Sequence, residues 1–451
     1  MPNHTPTRAL VVGFGITGRA VARALMAHGS AVVATDDRPN PQLRAAASEL
    51  DIELVESPDD TTLGQLVATV DAVVPTPGLP QSHPVFGLAE SCGNLVGSEF
   101  DLAAAWDSRP CLAITGTNGK TSVCTLVVAM LAASGVRAVA AGNVDVPLVA
   151  AIADDAVEVF VVEASSFRLA RASRFRPRVA TWLNVADDHQ DVHPTVAGYH
   201  QAKARIWANL GADDLAVANA EDPVVMGYAR DLSRLQTFGL NRGPTADWRV
   251  EQGRLRGPQG IDLVGIEELR RSLPHDVANG LAAAATAFGG GATLDGLRAG
   301  LREFRSLPHR VELVGEAGGV RYYDDSKATA PQATLAALSA FPSAVLIAGG
   351  RNKGLDLSPL VEGVPHLRAV VAIGEAAREV ADVFTGRCPV VAAASMDEAV
   401  GAARLLAVPG DVVVLSPACA SFDWYGSYGE RGDDFQRAVR DLLGDTLVRA
   451  T

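Results

Sequence analysis

Short apolar runs that end in or near glycine alternate along this chain with alanine-rich segments. The runs include ALVVGFG from residue 9, CLAITG from residue 111, SAVLIAGG from residue 343 and DVVVLSPA from residue 411. Strands that are apolar on both sides are typical of parallel sheets covered by helices on both faces. The pattern therefore predicts an α/β protein.

Two stretches depart from this alternation. Residues 237–260 are polar and rich in turn-forming residues, which predicts short antiparallel strands and loops. The uncharged stretch from Thr121 to Val136 is too short to span a bilayer and follows a glycine loop directly. It predicts a buried helix.

The apolar runs fall into three groups, and a length of 451 residues suits about three domains of roughly 150 residues. We expect a Rossmann-like N-terminal domain over residues 1–98. A central P-loop-type ATPase domain with a mostly parallel sheet is expected over 99–306. A Rossmann-like C-terminal domain is expected over 307–451.

Composition narrows the range of partners. The formal net charge of −13 argues against nucleic acid or an anionic membrane surface as the main partner, since both are negatively charged. The five cysteines show no C-x-x-C spacing, so neither a zinc site nor a disulfide framework is expected. The first residues lack the apolar core of a secretory signal, which predicts a cytoplasmic protein without membrane insertion.

The segment TGTNGKTS, residues 115–122, resembles a nucleotide-binding P-loop of unusual length. In the general motif G-x-x-x-x-G-K-[ST] the first glycine would fall at position 114, which is Ile114 here. The shorter loop can still present backbone N–H groups to phosphates, with Lys120 at the terminal phosphates and Thr121 on Mg²⁺. The loop predicts nucleotide binding.

Candidate metal ligands follow two of the apolar runs. Glu163 ends the run VEVFVVE, and an acidic carboxylate at the end of a strand beside the loop could hold Mg²⁺. The next run leads to Asp187, Asp188, His189 and Asp191, whose side chains suit Mg²⁺ or Mn²⁺. By spacing alone, the nearby Lys203 reads as a surface lysine.

The N-terminal motif Gly13-x-Gly15-x-x-Gly18 leaves three interpretations open. With Asp36 as a ribose anchor it matches a dinucleotide fingerprint. It could instead hold the pyrophosphate of another ligand, such as a UDP-sugar, or be a tight turn without a ligand.

Three polar loops near the C-terminus predict a substrate pocket. They are YYDDSKATAP from residue 322, AGGRNKGLD from residue 348 and LSPACASFDWYGSYGERGDDF from residue 415. Arg351 and Lys353 in the second loop could clamp a carboxylate or phosphate.

Together with these segments, the motifs AGNVDVP, VVEASSF, YHQAKARI and LPHRVE resemble the Mur ligases of peptidoglycan synthesis, over nearly the whole chain. The short loop alone marks a wider superfamily that includes folylpolyglutamate synthases. The segments DSKAT and LSPACAS are similar to those of the D-glutamate-adding member. The resemblance implies a reaction of ATP, D-glutamate and UDP-N-acetylmuramoyl-L-alanine through an acyl phosphate and a tetrahedral intermediate.

Residue roles follow from this resemblance. It implies two Mg²⁺ sites, with Mn²⁺ as a substitute, and a carbamylated Lys203 as a metal ligand. The implied catalytic residues are Lys120, Glu163, His189, Lys203 and Lys327. The implied metal ligands are Thr121, Glu163, His189 and Lys203.

The resemblance also implies three groups of binding residues and a monomeric protein. The ATP-binding residues would be Gly116, Thr117, Asn118, Gly119, Lys120, Thr121, Ser122, Asn279, Arg310 and Asp325. The UDP-sugar-binding residues would be Ile16, Thr17, Asp36, Asp37, Arg38, Thr76, Gly78, Asn143 and His189. The D-glutamate-binding residues would be Thr329, Lys353, Ser421 and Tyr428.

Three positions depart from the family pattern, namely Ala330, Asp276 and Tyr428. The rival interpretations are a related ligase for another amino acid or a folate, a nicotinamide-dependent dehydrogenase, and a UDP-sugar binder without catalysis. A dehydrogenase would leave the P-loop and Lys203 unexplained. A mere binder would not need a P-loop lysine together with a metal cluster.

Overall fold

The computed structural model describes residues 5–186, 192–193, 195–240, 246–305 and 307–444. The chain divides into two compact units. The first unit comprises residues 1–272 and 276–304, and the second comprises residues 273–275 and 305–451.

The first unit begins with a five-stranded parallel sheet of order β3-β2-β1-β4-β5. Its strands are β1 (Arg8–Val12), β2 (Ala31–Asp36), β3 (Glu53–Glu56), β4 (Ala72–Pro75) and β5 (Leu95–Val96). Its helices are α1 (Ile16–Ala27), α2 (Pro41–Glu49), α3 (Asp60–Ala68) and α4 (Val85–Ser91).

A nine-stranded sheet of order β14-β13-β12-β11-β10-β9-β6-β8-β7 follows in the same unit. Its strands are β6 (Cys111–Thr115), β7 (Ala138–Gly142), β8 (Val159–Glu163), β9 (Val179–Trp182), β10 (Leu215–Asn219), β11 (Leu235–Gly239), β12 (Trp248–Glu251), β13 (Arg254–Arg256) and β14 (Asp262–Gly265). The pairs from β7 to β12 are parallel, whereas β12, β13 and β14 pair antiparallel. The predicted antiparallel segment is therefore confirmed.

Helices cover both faces of this sheet. They are α5 (Glu99–Trp106), α6 (Lys120–Ala133), α7 (Leu148–Ala151), α8 (Ser166–Leu169), α9 (Val196–Ala204), α10 (Pro223–Ala229), α11 (Pro274–Gly289) and α12 (Leu294–Glu303), with 3-10 turns at Arg205–Trp207, Pro258–Gly260 and Ile266–Glu268. Helix α6 packs against the sheet through buried residues such as Val127 and Leu131, as predicted for this uncharged stretch.

One continuous hydrophobic cluster joins the first two sheets. It contains Val11 of β1 and Phe14, together with Ala113 of β6 and Phe160 of β8. Residues 5–98 therefore share a core with the segment that follows them.

The second unit contains a six-stranded sheet of order β15-β16-β20-β17-β18-β19, parallel except for the pair β15-β16. Its strands are β15 (Glu312–Ala317), β16 (Val320–Asp324), β17 (Ala344–Gly349), β18 (Leu367–Ile373), β19 (Val390–Ala393) and β20 (Val412–Ala418). Its helices are α13 (Pro331–Leu338), α14 (Ala377–Phe384), α15 (Met396–Leu406) and α16 (Tyr428–Leu443), with a 3-10 helix at Ser358–His366.

The predicted α/β class with three mostly parallel sheets is confirmed. In parallel sheets, the loops after the strands meet at one edge, which is where such folds bind ligands. Among the described residues, no helix is both long and apolar enough to cross a membrane.

Candidate functional site

The P-loop forms a tight connection between β6 and α6. Gly119 has a φ of +87°, and a Cβ atom at this position would lie 2.7 Å from Oδ1 of Asn279. Glycine is therefore required here both by the backbone conformation and by the close approach of α11. The structure thus brings the predicted nucleotide residue Asn279 to the loop, while Lys120, Thr121 and Ser122 begin helix α6.

Two lysines meet at one carbonyl group of the loop. Nζ of Lys120 lies 2.8 Å from the carbonyl oxygen of Gly116 and 2.9 Å from that of Thr117. Nζ of Lys203 also lies 2.8 Å from the oxygen of Gly116. The two amines are therefore close neighbours on the loop.

The loop is held by two residues that the sequence analysis did not select. Asn184, just after β9, accepts a hydrogen bond from the backbone N–H of Asn118 through its side chain, and its own carbonyl accepts from Thr117 N–H. The hydroxyl of Tyr199 lies 3.0 Å from that of Thr117. Tyr199 precedes Lys203 by four residues on α9, so helical spacing could have identified it as a neighbour of that lysine.

Glu163 ends β8, which pairs with the P-loop strand β6. Its side chain is 3% exposed, and Oε1 accepts a hydrogen bond of 3.0 Å from the amide of Asn143. Oε2 is buried and has no hydrogen-bond partner among the described residues. Because a buried, unpaired carboxylate oxygen is costly, this atom is suited to a cation.

The reading of Lys203 as a surface lysine is wrong. The residue is 1% exposed, and its ammonium nitrogen lies 4.6 Å from the centroid of the Tyr199 ring. The surface interpretation failed because Lys203 is buried against the carbonyl oxygen of Gly116, which lies 87 residues away in the sequence.

Lysine usage is a signal that could have corrected this reading. The chain contains only four lysines, Lys120, Lys203, Lys327 and Lys353, and arginine supplies the other 35 of its 39 Lys and Arg residues. Arginine thus serves the ordinary surface positions. A lysine retained in such a chain indicates a position that needs a compact ammonium or a reactive amine.

The acidic cluster Asp187, Asp188, His189 and Asp191 lies outside the described residues. The predicted role of His189 as a metal ligand and substrate contact therefore stays a prediction.

The three glycines of the N-terminal loop differ in their surroundings. A Cβ atom at Gly13 would lie 2.2 Å from Thr76 Oγ1, and one at Gly18 would lie 2.0 Å from the carbonyl oxygen of Gly13. A Cβ atom at Gly15 would meet no atom within 4 Å. Gly15 thus leaves open space at the start of α1, where backbone N–H groups favour an anion.

The carboxylates of this region are engaged by their neighbours. Asp36 accepts hydrogen bonds from the backbone N–H groups of Phe14 and Arg38, at 2.7 and 2.9 Å, and so fixes the glycine loop. Oδ2 of Asp37 lies 3.2 Å from Nε2 of His83, a residue that the sequence analysis did not select. The role of Asp36 in this structure is therefore to hold the backbone of the glycine loop at Phe14.

Ile16, Thr17 and Thr76, three further predicted UDP-sugar residues, lie next to this loop. Ile16 is 61% exposed beside it. The hydroxyl of Thr17 contacts Nη2 of Arg168 at 3.0 Å. Thr76 packs against Gly13, and a Cβ atom at Gly78 would find open space.

The second unit contains a cavity of about 230 Å³. Its lining residues are Thr329, Lys353, Leu355, Ala420, Ser421, Phe422 and Tyr428. All four residues predicted to bind D-glutamate line this cavity, although they come from three separate loops. Phe422 was not predicted, and its ring lies 4.9 Å from Nζ of Lys353.

Lys327 stands beside this cavity without lining it. Its Nζ lies 3.9 Å from the centroid of the Tyr428 ring. The tyrosine departs from the family pattern but supplies a ring face for a cation.

Arg431 fastens two of the cavity loops together. Its guanidinium donates to the hydroxyl and the carbonyl oxygen of Ser326, at 3.0 and 2.9 Å, and to the carbonyl oxygen of Cys419 at 3.1 Å. The side chain is buried, and burial lowers the pKa of Arg431 to about 10. This arginine, which the sequence analysis did not select, therefore holds the loop of Lys327 against the loop of Ser421.

Asp325 is buried below the cavity loops. It accepts hydrogen bonds from the Ser416 hydroxyl at 2.7 Å and from Val311 N–H at 3.3 Å. Burial raises the pKa of Asp325 to about 7, while these two bonds and the charge of Arg310 lower it. The structure thus places the predicted nucleotide residues Asp325 and Arg310 near one another.

A histidine that the sequence analysis did not select lies beside these residues. Nδ1 of His309 is 2.7 Å from Oδ2 of Asp324, and this hydrogen bond raises the pKa of His309. The imidazole ring also lies edge-on to Tyr428.

Arg351 is not the expected clamp. Its guanidinium makes a bidentate ion pair with Glu375 at 2.7 and 2.9 Å, so Lys353 alone of the two faces the cavity. Of the other departures, Asp276 pairs with Arg271, and Ala330 precedes α13 without a side-chain cap.

Three family models match consecutive parts of the chain. They are the Mur ligase MurD-like N-terminal domain over residues 7–97, the Mur ligase middle domain over 114–287 and the Mur ligase glutamate ligase domain over 309–419.

Similar proteins cover nearly the whole chain. The UDP-N-acetylmuramoylalanine--D-glutamate ligase of Methylococcus capsulatus is 39% identical over 97% of this chain and 95% of its own length. The ligase of the same name from Frankia casuarinae is 41% identical over 96% of this chain and 94% of its own. Among solved structures, a pseudomurein peptide ligase type C from Methanothermus fervidus has a TM-score of 0.60 at 18% identity, covering 97% of this chain and all of that one. This last likeness concerns the fold.

Proposed function

The chain belongs to the Mur ligase family, and we propose that it adds D-glutamate to UDP-N-acetylmuramoyl-L-alanine at the expense of ATP. This reaction makes a peptidoglycan precursor and so serves cell-wall synthesis, cell shape and division. The observation that carries the proposal is the cavity lined by Thr329, Lys353, Ser421 and Tyr428. Curated relatives named for the same reaction support it.

The chemistry explains why ATP is needed. A carboxylate does not react with an amine because its oxygen is a poor leaving group. In the proposed reaction, an alanyl carboxylate oxygen attacks the γ-phosphorus of ATP, and ADP leaves. The amine of D-glutamate then attacks the carbonyl carbon of the acyl phosphate. The tetrahedral intermediate loses phosphate and a proton and yields the amide.

Residues of the P-loop would hold the nucleotide. Backbone N–H groups from Gly119 to Thr121, at the start of α6, would face the phosphates, and Lys120 would exchange its carbonyl contacts for the γ-phosphate. Asn279 would contact the nucleotide beside Gly119. Arg310, Asp325 and Lys327 are the other residues that we propose to bind ATP.

We propose two sites for Mg²⁺, with Mn²⁺ as a substitute. The buried, unpaired Oε2 of Glu163 supports the binding of a cation. Thr121, whose hydroxyl would be a second ligand, lies in the first turn of α6. When bound, such ions neutralise phosphate and carboxylate oxygens that must approach one another. His189, which lies outside the described residues, would complete the set with Lys203.

Lys203 would serve as a carbamate. Its amine is buried, and both it and the Lys120 amine lie 2.8 Å from the carbonyl oxygen of Gly116. A neutral amine attacks CO₂ and loses a proton, which gives an anionic oxygen ligand where an ammonium would repel a cation. Arginine could not do this, which agrees with the retention of lysine here.

The sugar nucleotide would bind at the N-terminal glycine loop. Its pyrophosphate would use the open space at Gly15 and the N–H groups of Ile16 and Thr17. Asp36, Asp37, Arg38, Thr76 and Gly78 would complete the uracil and pyrophosphate site. Asn143, held by Glu163, would contact the muramoyl end.

The D-glutamate pocket contains a cation and hydroxyl groups. Lys353 would pair with one carboxylate, while Thr329 and Ser421 would donate hydrogen bonds to the amino acid. Tyr428 would close one side of the cavity. Since all of these residues come from one chain, we also propose that the protein is a monomer. We further propose that it is cytoplasmic and that its domains comprise residues 1–98, 99–306 and 307–451.

The test is phosphate release from ATP with UDP-N-acetylmuramoyl-L-alanine and one amino acid at a time. We expect D-glutamate to stimulate release far more than L-glutamate, L-lysine or diaminopimelate. The Lys120→Ala variant is the control for contaminating phosphatase. Equal release with the other amino acids would reject the D-glutamate assignment and favour a related ligase.

A further inference from the structure

Arg168 follows β8, the strand that ends at Glu163, and contacts Thr17 beside the N-terminal glycine loop, where we propose that the sugar nucleotide binds. It lies five positions after Glu163, on α8, and is 7% exposed. Nη1 donates to Oε2 of Glu99, and Nη2 donates to Oγ1 of Thr17 at 3.0 Å. One planar side chain thus binds both a carboxylate and a hydroxyl group.

The contact at Thr17 determines which way this hydroxyl can act. A hydroxyl group has one hydrogen to donate and two lone pairs to accept with. Because Arg168 donates to the oxygen, the hydrogen of Thr17 remains available for an acceptor. The charged donor also polarises the O–H bond, which strengthens its donation.

The position of Thr17 makes an anionic acceptor suitable. Thr17 is the second residue of the twelve-residue helix α1, so its backbone N–H is among those without a partner inside the helix. The neighbouring Gly15 leaves open space at the same end. The hydroxyl and the N–H groups can therefore act on the same phosphate.

Glu99 holds the guanidinium in place. Oε1 of Glu99 accepts from the backbone N–H of Val149 at 3.2 Å, so the carboxylate is itself fixed. A lysine could pair with Glu99 but has no planar fork to reach Thr17 at the same time. The arrangement therefore depends on arginine.

We propose that Arg168 is a positioning residue for the sugar nucleotide, acting through the Thr17 hydroxyl to present its hydrogen to a phosphate oxygen at the start of α1. This role rests on the proposed function for the identity of the ligand. It does not involve ATP, and it predicts an effect on UDP binding in the absence of the other substrates.

The test is a double-mutant cycle with Arg168→Lys and Thr17→Val, measured as the Kd for UDP by titration calorimetry. We expect each single substitution to weaken UDP binding about tenfold, the effect of one charge-assisted hydrogen bond. If Arg168 acts through Thr17, the double variant is also weakened about tenfold. A weakening of about a hundredfold, or no effect of Arg168→Lys, would overturn the proposal.

Arg171→Lys is the matched control. Arg171 lies three residues further on, where it stacks on Phe86 at 3.7 Å and donates to the carbonyl oxygen of Leu79, but it has no contact with Thr17. We expect its Kd for UDP to stay within twofold of the wild type. An equally large increase in the Kd for UDP would mean that substitutions in this part of the chain weaken binding whether or not they contact Thr17. That result would also overturn the proposal.

Folding is checked by thermal unfolding of each variant. If Arg168→Lys does not fold, the pair Glu99→Gln with Arg168→Gln replaces it in the cycle, because two amides avoid a lone buried charge. Failure of wild-type UDP binding would remove this role together with the proposed function. Additive losses would remove this role alone, whatever the ligase assay shows.

Discussion

The P-loop region contains two of the four lysines, and the other two lie in or beside the C-terminal cavity, where their surroundings differ. Lys120 and Lys203 both donate to the carbonyl oxygen of Gly116. Lys327 and Lys353 lie instead over the rings of Tyr428 and Phe422. Backbone carbonyls bind an ammonium in one direction, whereas a ring face attracts the charge and leaves its N–H groups largely available.

This difference indicates how each region would bind its ligand. In the P-loop region, Lys120 and Lys203 already donate to backbone carbonyl oxygens, so a ligand of these lysines must replace existing bonds. In the cavity, Lys353 and Thr329 are exposed, so the ligand can add bonds to groups that are already oriented. We therefore expect substitutions near the P-loop to change the chemical step and those at the cavity to change amino-acid affinity.

The largest effect is expected for Glu163→Gln, which removes a charge from the P-loop region while keeping the bond from Asn143. We expect kcat to fall on the order of 10³-fold, equivalent to about 4 kcal/mol, because a metal site loses an anionic ligand. Phosphate release over a range of Mg²⁺ concentrations measures this. Glu158→Gln, an exposed residue just before β8, is the control and should retain activity. A fall of less than tenfold for Glu163→Gln would show that this carboxylate holds no metal.

Asp325 provides the corresponding carboxylate test in the second unit. Its folded pKa of about 7 lies above its ordinary value, so the folded protein binds a proton between pH 4 and 7 that the unfolded chain has released. Stability from this group is complete below pH 4 and is lost as the pH rises through 7, by roughly 4 kcal/mol. Asp325→Asn should remove this dependence, as measured by urea unfolding across the range.

The control for the pH experiment is Asp356→Asn. Hydrogen bonds from Ser358 lower the pKa of the exposed Asp356, so its contribution is lost as the pH falls. Because that loss occurs below about pH 4, Asp356→Asn should leave the decline in stability between pH 4 and 7 unchanged, whereas Asp325→Asn should abolish it. Parallel curves for Asp325→Asn and the wild type would contradict the buried, protonated state.

Lys203→Ala tests whether the buried amine of the P-loop region acts as a carbamate. We expect kcat to fall about 100-fold, or about 2.7 kcal/mol, because one anionic metal ligand is lost. Acetate or propionate should restore part of the activity by supplying the carboxylate. Lys203→Arg keeps a cation but has no site for CO₂, so it should be equally impaired and not rescued. Full activity of either variant would exclude the carbamate role.

The smallest effect is expected for Phe422→Leu at the cavity. The variant loses the ring beneath Lys353, an interaction worth about 0.5–1 kcal/mol at an exposed site. We expect the KM for D-glutamate to rise about two- to fivefold, with kcat and the KM for ATP unchanged. Trp424→Leu, an exposed aromatic residue that does not line the cavity, is the control. A change in kcat instead of KM would remove the contrast between the two regions.

Much of the fold was predictable because its signals are local. The runs CLAITG and VEVFVVE predicted β6, followed by the P-loop, and β8, ending at Glu163, and the structure has both strands there. Lys203 was misread on spacing, and Tyr199, Asn184 and Arg168 were not selected. Their roles depend on partners 66 or more residues away, such as Thr117 for Tyr199 and Thr17 for Arg168.

Local sequence patterns were enough to predict the α/β class, the glycine turns and the polar loops at strand ends. Apolar periodicity and the backbone conformation of glycine depend on only a few neighbouring residues. It also limited lysine to four positions. Only the tertiary structure decided that Lys203 is buried, that Arg351 is occupied by Glu375 and that Arg168 reaches Thr17. Burial and hydrogen bonding between distant segments depend on how strands and helices pack, which no local pattern specifies.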